Sequence, residues 1–263
     1  MIDFLVAITR EAGERVLRES RRIRGKKAGS GNWVTEADLA SESYLTNAIH
    51  QAYSLHKILT DPGYKVLTEE TNAGITDPLQ EEHLWVIDPL DGTTNFAYEV
   101  PLCTVSAAYV ERGVVRCGAI YDPFQRDLFW AEKGKGAYHN GEVIHVRRMT
   151  TFEGALVNIG SPYLSGHFRQ TYPVGDLLHK HGARIVNLGS AALECAYVAC
   201  GRLSLYYEVG LKPWDVAAGA LLIEEAGGKV VSEGKTFNPF HFESFLAGNP
   251  TLVKKALRLI SKQ

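Results

Sequence analysis

In the stretch WVIDPLDGTTNF (residues 85–96), two aspartates three apart follow an apolar run and lead straight into Gly-Thr-Thr. Buried carboxylates are costly unless something pairs with them. Asp88 precedes Pro89, which holds it extended at a strand end, and Asp91 follows one turn on. The two can point into one space, with the Leu90 carbonyl free between them. Two carboxylates, a carbonyl and water make a hard oxygen shell that suits Mg2+ rather than zinc. Gly92 lets the backbone approach a ligand closely. A helix beginning at Thr93 or Thr94 would turn unpaired N–H groups outward and form an anion site. Metal and phosphate in one pocket is the arrangement of metal-assisted phosphoryl transfer to water.

Other acids stand where elements should begin or end: Glu69 and Glu70 after an apolar strand, Asp215 after Trp214, and Asp38 early in a helix. Each also has a plain structural reading. Asp91 reads as a turn residue or N-cap, Asp215 as the N-cap of a helix, Glu69 and Glu70 as a polar strand end. The functional reading gains because the acids follow strand-like segments whose ends should converge at one sheet edge.

The elements that must position these groups follow from periodicity. Residues 2–24 put Phe4, Leu5, Ile8, Ala12, Val16 and Leu17 on one helical stripe. A second helix follows Thr35, a candidate N-cap with Asp38 three residues on. KVLTEE and HLWVID read as short strands. Residues 102–130 form a β meander with turns near residues 111–113 and 122–125, and two more turns follow. In the second half, ALVNIG, ARIVNLG, LSLYYEVG, KVVSEG and FLAGNP read as strands. SAALECAYVACG, DVAAGALLIEEAGG and TLVKKALRLISK read as helices, the first two closed by glycines. Helices and mixed strands alternate, so the class is α+β or layered α/β. The expected division is residues 1–148, an α+β part carrying the acids, and residues 149–263, an α/β part completing the site.

The chain has 263 residues, 45% of them hydrophobic and 22% charged, with a net charge of −2. That balance argues against nucleic-acid binding driven by bulk charge. RRIRGKK (residues 21–27) is the one dense basic stretch, read as a solvated helix end and loop. Cys103, Cys117, Cys195 and Cys200 form no C-x-x-C pair and read as buried apolar residues in a reducing compartment. The N-terminus lacks the order of a signal peptide, and no apolar run approaches the roughly 20 residues that span a bilayer. A soluble cytoplasmic protein is expected. Trp214 is expected to pack, and the histidines are assigned no role.

Two of these segments, WVIDPLDGTTNF and PWDVAAGALLIEEAGG, closely resemble the two signatures of the inositol monophosphatase family, and TEET (residues 68–71) resembles its third acidic motif. KKAGSGNWVTEAD, GAIYDPFQRDLFWAEKGKGAYHNG, GSAALECAYVACGRLSLYYEVG and AGNPTLVKKAL follow in family order. The likeness covers nearly the whole chain and is nearest the bacterial branch. It implies a layered α/β/α/β/α sandwich, a homodimer, and lithium-sensitive hydrolysis of phosphomonoesters with about two to three Mg2+ ions per site. Glu69, Asp88, the Leu90 carbonyl and Asp91 would bind metal. Asp215 would share a second ion with Asp88 and Asp91, and a weaker third would lie near Glu69, with Glu70 beside it. Gly92 and Thr93 would meet the phosphate. Thr93, paired with Asp38, and Glu69 would position the attacking water. Gly189, Ser190, Ala191, Glu208 and Asp91 would contact the substrate, and Lys27 matches the lysine of the family's N-terminal loop. Between Asp38 and Glu69 the chain is longer than the family pattern. Residues 158–167 are given no substrate contact.

The implied reaction is hydrolysis of myo-inositol-1-phosphate or related polyol phosphates. The alternatives are a 3′,5′-bisphosphate nucleotidase, a fructose-1,6-bisphosphatase, a histidinol phosphatase or an NADP phosphatase of the same superfamily. DGTTNF favours the inositol branch over the nucleotidases. A regulatory binding protein on this fold is the reading from a different class, with residues 21–27 as its surface. The expected partners are a small phosphorylated polyol and a second copy of the chain, with neither membrane nor nucleic acid.

Overall fold

In the computed structural model, residues 1–20, 25–28, 32–54, 63–70, 75, 77–162 and 164–262 are described, with backbone alone at residues 25–28 and 32–33. The apolar stripe of the N-terminal segment forms helix α1 (Ile2–Glu19), which buries Leu5, Ile8, Ala12 and Val16. It ends earlier than the periodicity suggests, and residues 21–24 of the basic run lie outside the described residues. A short hairpin, β1 (Gly25–Ala28) with β2 (Asn32–Thr35), leads into α2 (Glu36–Ser54).

Helices α1 and α2 cover one face of a seven-stranded sheet. Its strands are, in spatial order, β3 (Tyr64–Thr68), β4 (His83–Asp91), β5 (Thr104–Glu111), β6 (Val114–Asp122), β7 (Asp127–Glu132), β8 (Ala137–His139) and β9 (Glu142–Val143). Only β3 and β4 run parallel; the rest is the expected meander. Between β4 and β5 lies the short helix α3 (Thr93–Ala97). The second sheet has six strands in the order β11-β10-β12-β15-β13-β14. These are β10 (Leu156–Ile159), β11 (Arg184–Val186), β12 (Leu205–Val209), β13 (Lys229–Ser232), β14 (Lys235–Thr236) and β15 (Ser244–Gly248).

Helices α5 (Ala191–Ala199) and α6 (Pro213–Glu225) lie between the sheets, while α4 (Ser165–Lys180) and α7 (Pro250–Ile260) cover the outer face of the second sheet. This makes five layers, α/β/α/β/α. The middle helices read as apolar all round because both sides are covered: every residue from Val216 to Ile223 is buried. Each large apolar side chain so enclosed contributes about 1.5–3 kcal/mol.

Two readings from the sequence need correction. Helix α4 lies where no helix was assigned, because Gly166, Pro173 and Gly175 interrupt its pattern; Pro173 lies inside it. Helix α6 starts two residues before Asp215, at Pro213, whose fixed φ suits a first turn. Asp215 is therefore not the N-cap. Trp214 packs against the central core, as expected.

Candidate active site

Asp88 and Asp91 share one side of β4 because the strand bulges. Asp88 pairs with Ser106 and Asp91 with Thr104, so three steps on β4 match two on β5. In a regular strand residues three apart face opposite ways; the extra residue resets the alternation. Pro89, with no N–H to offer a ladder, sits inside the irregularity. The Leu90 N–H turns back to Asp88 Oδ1 at 3.0 Å. Gly92 follows in the left-handed region at φ 90°, where an added Cβ would meet the Leu102 carbonyl at 2.9 Å.

Asp91 reaches across to the middle layer. Its Oδ2 accepts the Ala192 N–H at 2.8 Å and the Ser190 hydroxyl at 2.5 Å. Ser190 holds the N-cap position of α5 without a side-chain cap of its own. Asp91 thus caps α5 from another element and gains from the helix dipole. Asp215, third residue of α6, accepts the Lys212 N–H at 2.6 Å. Asp88, Asp91 and Asp215 each offer one oxygen, all within 4.8 Å of one another. Glu69 follows β3, whose register sets Thr68 beside Ile87, and lines the same cavity.

These acids crowd. Burial, then the charges of Glu69, Asp91 and Asp215, hold the Asp88 carboxyl well above its usual range. Burial and Asp91 push Asp215 up to about 7, while burial and Asp215 push Glu69 up to about 8. No lysine or arginine among the described residues forms an ion pair with any of them. A cluster of hard oxygens short of positive charge fits a divalent cation, and neither cysteine nor histidine among the described residues joins the group.

Behind this group Asp38 is fully buried. Its Oδ1 accepts the Thr93 hydroxyl at 3.0 Å, and its Oδ2 accepts the N–H and hydroxyl of Thr35 at 2.7 and 2.5 Å. The Thr35 hydroxyl oxygen in turn accepts the Ala37 N–H, so Thr35 caps α2 as expected, with Asp38 in the place of the usual glutamate. Burial raises the Asp38 carboxyl above its ordinary range despite these bonds.

The cavity, about 320 Å³, runs from the acids to the end of the second sheet. Gly92, Thr93, Gly189, Ser190, Ala191 and Glu208 all line it. Glu208 lies on β12, only 7% exposed, with its carboxyl bonded to the Tyr206 hydroxyl. Its carboxyl is therefore held inside the cavity wall rather than at the surface. Gly160 stands against it: a Cβ there would overlap the Glu208 carboxyl at 1.9 Å.

The structure thus brings together the sequence-chosen residues with two exceptions. Glu70 does not line the cavity, and its carboxyl is pushed up to about 7 by burial, Asp38 and Glu42. The Lys27 side chain lies outside the described residues, as do residues 55–62 of the longer stretch between Asp38 and Glu69. Sequence reasoning missed Thr94, Asn95, Ser161, Pro162, Glu194 and Leu211, which also line the cavity. Ser161 and Pro162 fall in the segment that was given no substrate contact. For Glu194 a signal existed: it is the single charged residue in the apolar helix AALECAYVA.

The whole arrangement has known counterparts. The chain matches the family model described as inositol monophosphatase family over residues 1–260. The Nus factor SuhB of Escherichia coli strain K12 is 34% identical over 262 residues, which cover 98% of this chain and 94% of the relative. The inositol-1-monophosphatase of Mesorhizobium japonicum is 32% identical over 266 residues, covering 100% and 96%. Among solved structures, the Thermotoga maritima IMPase superposes with a TM-score of 0.86 at 30% identity over 99% of this chain and 96% of that one. The extragenic suppressor protein suhB of Bartonella henselae gives 0.87 at 32% identity over 99% and 98%. With the family model matched over residues 1–260 and both relatives matched over nearly their whole length, this chain belongs to the inositol monophosphatase family.

Proposed function

We propose that the protein is a Mg2+-dependent phosphomonoesterase that hydrolyses myo-inositol-1-phosphate and related polyol phosphates. One observation carries the reading. A single cavity is lined by three converging carboxylates and, outside that group, by Glu208, with Ser190 bonded to Asp91 and Ala191 next to it. The carboxylate end suits a metal-held phosphate, the Glu208 end an alcohol rich in hydroxyls.

Asp88, Asp91 and Asp215 would hold Mg2+, with the Leu90 carbonyl and Glu69 beside them and Glu70 further back. When bound, Mg2+ supplies positive charge that acidifies water and offsets the charge of the phosphate. The chain's own residues do the rest. Gly92 and Thr93 turn backbone N–H groups toward the phosphate. The Thr93 hydroxyl takes a proton from the attacking water as it yields its own to Asp38. Glu69 steadies that water from the other side. Gly189, Ser190, Ala191 and Glu208 orient the leaving alcohol. Residues 1–148 would supply most of the metal group, and residues 149–263 would complete the site with Asp215 and the alcohol contacts.

The test is phosphate release from myo-inositol-1-phosphate, 3′-phosphoadenosine 5′-phosphate, fructose-1,6-bisphosphate and NADP, each with Mg2+, with EDTA and with added Li+. Preference for the inositol ester, lost with EDTA and weakened by Li+, supports the reading. Preference for another ester overturns the substrate and keeps the chemistry.

Two further parts of the proposal rest on separate features. An apolar stripe of Leu164, Phe168 and Tyr172 on α4, with Ile185 on the edge strand β11, is exposed, and this supports a homodimer. Four free cysteines support a reducing, cytoplasmic setting, and no helix among the described residues is long and apolar enough to cross a membrane. The name Nus factor, carried by the Escherichia coli relative, favours a second reading, a factor acting on another macromolecule through this fold. Absence of release from every ester by folded protein with Mg2+ would select it.

A further inference from the structure

We propose that Asn95 and Glu194 are positioning residues that clamp residues 188–190 between the phosphate end and the alcohol end of the cavity, and so set which alcohol the site accepts. The proposal rests on the phosphomonoesterase reading above.

The segment joins β11 to α5 and has no ladder of its own. Two side chains from different layers satisfy its backbone. Asn95, on α3, donates from Nδ2 to the Leu188 carbonyl at 2.7 Å, and also to Leu102 at 2.8 Å and Gly189 at 3.3 Å. Glu194, on α5, accepts the Leu188 and Gly189 N–H groups on one oxygen, at 2.9 and 3.0 Å. Carbonyls are held from one side and N–H groups from the other. Leu188 is half-buried and Gly189 exposed, and bonds to two fixed side chains hold their backbone against displacement.

Each clamp leads on to one end of the cavity. Asn95 shares its five-residue helix with Thr93, whose hydroxyl meets Asp38. Glu194 also meets the Tyr206 hydroxyl, which bonds the Glu208 carboxyl in turn. Tyr206 has a single hydroxyl proton and faces two carboxyl groups, so one of these must bring a proton of its own. Burial pushes Glu194 up to about 7. Burial raises the Glu208 carboxyl as well, and the three side chains bond in the order Glu194, Tyr206, Glu208. An unbroken run of hydrogen bonds then links the helix at the phosphate to the carboxylate at the alcohol. Such a carboxyl, fixed at a set place, selects an alcohol with hydroxyl groups over a flat aryl group without them, because orientation is settled before reaction.

The experiment compares kcat and KM of the full chain with Mg2+ on myo-inositol-1-phosphate and on 4-nitrophenyl phosphate. Asn95→Ala and Glu194→Ala should each lower the inositol-to-aryl ratio of kcat/KM by about tenfold, mainly through KM for the inositol ester. Glu194→Gln, which mimics the neutral acid, should recover most of that ratio. Asn95→Asp, which keeps size but replaces the donor, should act like the alanine variant and serves if that one fails to fold. The Tm rise produced by Mg2+ with inorganic phosphate should survive, since the phosphate end is untouched. Equal losses on both esters, with no rescue by glutamine, overturn the positioning role and leave the phosphatase reading standing. Release from neither ester by the wild type overturns that reading and the inference with it.

Discussion

Thr93 and Asp38 are 55 residues apart, on different elements, and the threonine hydroxyl donates to Asp38 Oδ1 at 3.0 Å. The same hydroxyl lies 2.9 Å from the Leu90 carbonyl, so it is held between a buried acid and the bulged strand of the carboxylate cluster. Thr93→Ala keeps the backbone N–H and loses the proton path. We expect kcat to fall by about 100-fold with KM nearly unchanged, and Thr93→Ser to restore most of the rate. A large rise in KM at constant kcat would count against this role.

Asp91→Asn tests the metal group without unfolding it. The amide oxygen can still accept from Ser190 and Ala192, while one metal-facing charge is lost. The expected loss in kcat/KM is about 1,000-fold, roughly 4 kcal/mol in the transition state. The Tm rise on adding Mg2+ should shrink as well, which calorimetry reads independently of turnover.

Much of this was legible from residues alone, and the misses share a cause. The acids of WVIDPLDGTTNF announce themselves because charge beside apolar residues at a strand end is unusual. Helix α4 was hidden because proline and glycines break its period, and packing on the second sheet overrides that local preference. Asn95 acts through a contact 93 residues along the chain, which no local pattern reveals. The shared direction of Asp88 and Asp91 depends on a bulge visible only once β5 is paired.

Glu194 also governs a pH dependence. Its folded pKa is raised from 4.5 to about 7, first by burial, while the Leu188 and Gly189 amides and Tyr206 oppose the shift and Asp91 adds to it; Glu208 is bonded to the same Tyr206 hydroxyl. A raised carboxyl stabilises the fold below the unfolded pKa, and that contribution is lost as pH climbs through the folded one. Between pH 4.5 and 8 the loss is about 3 kcal/mol. Glu194→Gln should therefore unfold at higher denaturant than the wild type at pH 8 in EDTA, with the gap closing by pH 4.5. Parallel pH profiles would contradict the assignment.

Gly160→Ala sets a Cβ against the Glu208 carboxyl. Only the acid can yield, and it must leave Tyr206 to do so. We expect KM for the inositol ester to rise about tenfold, with release from 4-nitrophenyl phosphate little changed.

Phe168→Glu with Tyr172→Glu charges the stacked pair on α4, whose rings lie 3.9 Å apart. Light scattering should then show mass falling from dimer to monomer. An unchanged dimer would place the interface elsewhere.

The helices shared by both sheets bear on how such proteins diverge. The acids sit on β4 and at the start of α6, while the proposed alcohol contacts lie around β10, β12 and the start of α5. A lineage can exchange side chains on the second sheet and change its ester while the bulge and its carboxylates stay as they are. Hydrolysis and recognition are then free to evolve at separate rates, and relatives that keep every acid can come to carry different names.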